Sequence, residues 1–147
     1  METSEATPVG GGPFNQMTGT LSHDGNWLAY SSNESGTDEV YVQAFPEPKG
    51  RWMISTNGGY EPMWRSDDRE IFYLRDAGIA AVSVEPGPNF SFGTPEVLFS
   101  TIVRSAQRAG YSVSKDGGQI LVNELPPADA NKTGARLIQN WPAALVR

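Results

Sequence analysis

The 147-residue sequence has no cysteine, which excludes disulfide frameworks, thiolate zinc sites and a cysteine nucleophile. It has one histidine, His23, so a Ser-His-Asp triad has only that residue to build on, and a multi-histidine metal site cannot form within one chain. Basic residues are few: 11 Lys and Arg stand against 17 Asp and Glu, a formal charge of -6. A nucleic-acid groove needs clustered cations, and an anionic bilayer attracts them, so the balance argues against both partners. No stretch is apolar over the roughly 18 residues a membrane span needs. The opening Met1-Glu2-Thr3-Ser4-Glu5 lacks the basic-then-apolar order of a secretory signal; the expectation is a soluble chain whose compartment stays open. The nucleophile elbow Gly-x-Ser-x-Gly is missing. Gly10-Gly11-Gly12 lacks the Lys-Ser/Thr of a phosphate loop, and residues 1–13 read as a flexible lead-in or an exchanged outer strand.

Glycine (16) and proline (11) are plentiful instead, so turns are frequent, and no segment shows helical periodicity. What the sequence does contain is a repeat. Thr20–Tyr30, Trp64–Tyr73 and Ser112–Val122 each read as strand, Ser-x-Asp-Gly-type turn, strand, with anchoring serines at 22, 66 and 114. Ser and Asp side chains bond backbone N–H groups further along, and Gly takes the positive φ that tight hairpins need. The second copy has Asp68-Arg69 where the others have Asp-Gly. Second strands are expected at 27–31, 70–74 and 119–123, third strands at 39–45, 79–84 and 136–141, and fourth strands at 51–55 and 95–99. Short strands at a period in the forties mark propeller blades, here about three four-stranded ones over 14–56, 57–100 and 101–147.

The run Ser22-His23-Asp24-Gly25-Asn26-Trp27-Leu28-Ala29-Tyr30, followed by Glu39-Val40-Tyr41-Val42, resembles the TolB-like propeller repeat, as does the junction Ile54–Gly59 with Glu61-Pro62-Met63-Trp64. The order of the pieces is similar to the C-terminal part of propeller domains attached to bacterial serine/threonine kinases. His23 stands where that repeat usually has proline. The resemblance covers about residues 14–141 and implies an all-β scaffold for binding, without agreed catalytic residues. Propellers close with four to eight blades, so three blades predict either a longer ring or closure to six blades as a homodimer.

In such a ring the first strand of each blade lines the axis. Alignment on the serines equates Gln16, Tyr60 and Arg108, and beside them Met17, Glu61 and Ala109. Glu61 and Arg108, with Tyr60 and Gln16, are the candidates for a ligand-binding mouth, against the plainer reading of hydrated or ion-paired side chains. His23 suits a general base by its usual pKa, against a solvated turn residue. Asp38-Glu39 and Asp67-Asp68-Arg69-Glu70 read as solvated turns without calcium-loop spacing. Trp27 and Trp64 are expected in the core, Trp52 and Trp141 on exposed outer strands. Three functions follow: a module that binds a peptide or small ligand and completes its ring with itself; an axial hydrolase of esterase, lactonase or phosphotriesterase type using Glu61 or His23, with Glu61 as the candidate ligand of a divalent metal; or a purely structural piece of a larger sensor.

Overall fold

The computed structural model describes residues 12–76, 78–101, 110–124 and 134–139. All regular elements among them are strands. β1 (Gln16–Leu21), β2 (Trp27–Ser32), β3 (Glu39–Ala44) and β4 (Arg51–Met53) form a four-stranded antiparallel meander. β5 (Tyr60–Trp64), β6 (Glu70–Arg75) and β7 (Gly78–Glu85) form the second sheet, completed by β8 (Ser91–Phe92) and β9 (Glu96–Phe99), which both pair with β7. β10 (Tyr111–Val113), β11 (Gln119–Glu124) and β12 (Gly134–Gln139) form the third. The fold is all-β, built of several antiparallel sheets, none closed on itself. No helix among the described residues is long and apolar enough to cross a membrane.

The turn chemistry fixes each β1–β2-type hairpin. Ser22 Oγ donates to Asp24 Oδ1 at 2.6 Å, Asp24 accepts the Asn26 N–H, and Gly25 turns the chain at φ +74°. Ser114, Asp116, Gly118 N–H and Gly117 (φ +75°) repeat this. In the second sheet the serine's place belongs to Arg65, not Ser66. The Arg65 guanidinium donates twice to Asp67 at 2.8 Å, Asp67 accepts the Arg69 N–H, and Asp68 takes the glycine position at φ +58°. The equivalent positions are therefore 22, 65 and 114, and the serine alignment slips by one residue in the middle copy.

That register makes Leu28, Ile71 and Ile120 equivalent, and likewise Ala29, Phe72 and Leu121. Because alternate residues face opposite sides of a strand, each sheet offers one set to the sheet before it and the other to the sheet after it. Sheets one and two meet through Trp27, Ala29, Val40, Val42, Trp64, Ile71, Tyr73 and Val82. Sheets two and three meet through Phe72, Leu74, Ile79, Ala81, Tyr111, Ile120 and Val122. Burial of these apolar side chains supplies most of the driving force, at about 25 cal/mol per Å².

Several expectations need correction. Trp52 is half-buried, not exposed: its ring lies 5.8 Å from Trp27 and 4.9 Å from Phe90, a residue the sequence did not single out. Glu39, Asp68 and Glu70 are buried instead of solvated. The fourth strand of the second sheet lies where expected, at β9, and β7 is long enough to pair with an additional short strand, β8, as well. The third strand of the last sheet starts at Gly134, two residues before the expected 136. Trp141 and residues 1–11 lie outside the described residues.

Candidate functional site

The inner strands β1 and β5 each carry a bulge with a positive φ, at Thr18 and at Glu61, both +51°. The bulges align Thr18 with Glu61 and Met17 with Tyr60. Gln16 is thus not the counterpart of Tyr60, and the two residues line different hollows. Gln16 borders a groove of about 190 Å³ on the outward face of the first sheet, with Met17, Leu28, Tyr30 and Gln43. Tyr60 borders a cleft of about 420 Å³ between the first two sheets. Arg108 lies outside the described residues.

Glu61 joins neither mouth as a free carboxylate. Its Oε2 accepts the Gly110 N–H at 2.9 Å, and its carbonyl accepts the Tyr111 hydroxyl at 2.7 Å, so it links the inner strands of sheets two and three. Tyr111 is buried, which holds its phenol well above the usual range, with the Glu61 charge adding to the effect. His23 stays in a turn with its ring about half exposed, but it is not simply solvated. Its Nδ1 lies 2.9 Å from Asp68 Oδ1, and Asp68 also accepts the His23 and Asp24 backbone N–H groups at 2.8 and 2.9 Å. The carboxylate that fixes His23 comes from the next sheet, 45 residues on, where no local motif announces it.

The Tyr60 cleft brings acidic side chains of two sheets to one hollow. Asp38, Glu39, Asn57 and Gly58 of the first sheet's end face Tyr60 and Asp76 of the second. Glu39 is held in place: it accepts the Ser55 hydroxyl and the Gly58 N–H at 2.9 Å, while Ser55 Oγ accepts the Val40 N–H at 2.7 Å. Asp38 and Asp76 remain exposed at the rim. Burial raises the Tyr60 phenol above its ordinary value, and the charges of Asp76 and Glu61 push the same way. The result is an acidic hollow bordered by Tyr60, whose side chain also packs on the cluster between sheets two and three, and it is suited to a cation that donates hydrogen bonds. The sequence named Tyr60 and Asp38-Glu39 separately; Asp76 was missed, and only the crossing between sheets joins them. Among the described residues no group of three His, Asp or Glu is arranged to hold a metal ion.

No protein-family model matches the chain, and no curated protein sequence matches it significantly.

Proposed function

We propose that the chain is part of a TolB-like β-propeller binding module whose ring is completed by self-association, and that its ligand is a basic peptide segment received at the Tyr60 cleft. The observation that carries the scaffold reading is the repetition of one packing register through three consecutive meanders. The ligand reading is supported by three carboxylates and a phenol gathered from two sheets in one hollow. A Lys or Arg side chain there would place its cation beside Asp38 and Asp76 and its stem against the Tyr60 ring. The hydrolase alternative rests on Glu61 or His23. Glu61 already accepts the Gly110 amide, and His23, although Asp68 orients its ring as it would a general base, lines neither hollow described above, so the hydrolase reading is the less favoured.

The test is calorimetric titration with short Lys/Arg-rich peptides and with Glu-rich peptides of equal length. Basic peptides bind and acidic ones do not. Replacing Asp38 and Asp76 together by Asn weakens binding by up to about thirtyfold, since each exposed ion pair contributes up to about 1 kcal/mol. Equal binding of both peptide classes, or none of either, overturns the ligand reading.

A further inference from the structure

We infer that the outward face of the third sheet seats on the outward face of the first sheet of a second copy, forming between copies a third seam in the register of the two inside the chain; this rests on the self-association reading and names its surfaces. Ala29 and Val42 of the first sheet face the second, and Phe72 and Ala81 of the second face the third; none is more than 1% exposed. The same two positions in the third sheet hold Leu121 and Leu137, a cross-strand pair left 44% and 53% exposed. Two leucines at positions that are dry in both existing seams mark a seam waiting for its other half.

The other half is on the first sheet. Ile71 and Tyr73 of the second sheet, and Ile120 and Val122 of the third, face the sheet before them. Their equivalents Leu28 and Tyr30 lie on the opposite side of the first sheet; Tyr30 is already buried within the copy and Leu28 is half-buried, while Leu21 and Met53, cross-strand partners of Leu28 and Tyr41, are exposed on that side. This face also holds two buried polar atoms without a partner among the described residues, Ser32 Oγ and Glu34 Oε1. Ser32 follows Leu28 and Tyr30 at alternate positions, and the other oxygen of Glu34 bonds Arg51, whose guanidinium lies over the Tyr41 ring. Buried polar groups in native proteins are almost always paired, and a neighbouring copy seated on this face can supply donors. Gln119 and Asn123 flank Leu121 on the same side of β11, are exposed, and carry amide donors.

The contact is head-to-tail, and a heterologous contact makes a ring when its rotation closes. Two copies give six sheets, within the four to eight that propellers use. One variant carries Leu121→Asp and Leu137→Asp; another carries Leu21→Asp and Met53→Asp. All four side chains are exposed, and urea unfolding checks that each variant folds. Light scattering after size exclusion, over a tenfold dilution, gives the masses. The parent runs near twice 15.9 kDa, and each variant alone runs as one copy. Their equimolar mixture recovers the double mass, because one face of each remains intact. Variants that keep the double mass overturn this seam while self-association stands; a mixture that stays single overturns the head-to-tail contact. A larger mass abolished by both variants keeps the seam and overturns closure at two copies. A parent that is single throughout overturns both this seam and the self-association reading.

Discussion

Between the first and second sheets the polar link is a carboxylate: Asp68 reaches back to two backbone N–H groups and the His23 ring. Between the second and third sheets the same turn position is Gly117, which has no side chain to reach with. There the turns are tied by the Ser66 hydroxyl donating to the Lys115 carbonyl at 2.6 Å, and the inner strands by Glu61 and Tyr111. The apolar parts differ as well. The first seam contains Trp64, whose Nε1 donates to the Thr20 carbonyl at 3.2 Å, and the cluster of Trp27, Trp52 and Phe90. At the position of Trp64 the second seam has Val113, which is only half-buried. One register therefore accommodates a seam with a tryptophan cluster and an aspartate clamp between its turns, and a seam of smaller side chains whose turns are tied by a neutral hydroxyl and whose inner strands are tied by the Glu61 carboxylate. The apolar alternation sets the stacking, and the polar groups are local solutions added to it.

The sharpest way to break this comparison is to truncate the equivalent residues. Trp64→Ala removes a buried indole and its hydrogen bond and is expected to cost about 3–5 kcal/mol in urea unfolding. Val113→Ala removes two methyl groups at a half-buried site and costs about 1 kcal/mol. Equal losses would mean that the two seams carry comparable energy despite their different side chains.

Next in size are the clamps. Asp68→Ala leaves the His23 and Asp24 N–H groups without their acceptor and is expected to cost about 2–3 kcal/mol. Ser66→Ala, at the second seam, loses a single neutral hydrogen bond worth about 1 kcal/mol. Asp68→Gly separates two causes, since it relieves the left-handed backbone at φ +58° while still deleting the clamp. If Asp68→Gly is as stable as the parent, the clamp is worth only the strain that glycine relieves, about 1 kcal/mol.

How much of this was legible in the sequence depends on the physics involved. Strand positions were legible because alternation and Asp-Gly turns are local. The anchor at 66 was wrong because a guanidinium at Arg65 makes the same two bonds to Asp67 that a serine anchor makes only in part, and a serine lay next door. Burial of Asp68 and Glu39 was illegible because a run of acids looks like a solvated turn until another sheet supplies its partners. For the same reason the serine spacing sets Tyr60 at one mouth with Gln16, whereas in the structure the two border different hollows.

A smaller effect comes from acid. The Ser22 hydroxyl lowers the Asp24 carboxyl below its usual 3.8, and the Arg65 guanidinium does the same for Asp67. A carboxylate lowered in the folded state contributes stability that is present above its unfolded pKa and lost as pH falls through the folded one. Stability is thus expected to be level near neutrality and to decline below about pH 4. Glu70, raised by burial, acts in the opposite sense and blunts the fall. Asp24→Asn and Asp67→Asn should each flatten the low-pH limb of a stability–pH curve. A limb unchanged in both would show that the acid sensitivity resides outside the turns of these two sheets.

The smallest expected difference separates two glycines in the same turn position. Gly25 and Gly117 both have φ near +75°, so an alanine at either bears the left-handed strain of about 1 kcal/mol. Around Gly25 nothing lies within 4 Å of an added Cβ, so strain is the whole cost. At Gly117 the added Cβ would meet Arg65 Cδ at 2.8 Å and Phe72 at 3.4 Å. The arginine stem is flexible and can yield, but its guanidinium is bonded to Asp67 and Glu70, so moving it loosens the turn of the second sheet. Gly117→Ala should therefore cost roughly 0.5–1 kcal/mol more than Gly25→Ala, the scale of one weakened surface ion pair. Equal costs would show that Arg65 moves aside without losing its carboxylates, and that the second seam is loosely packed at its turn end.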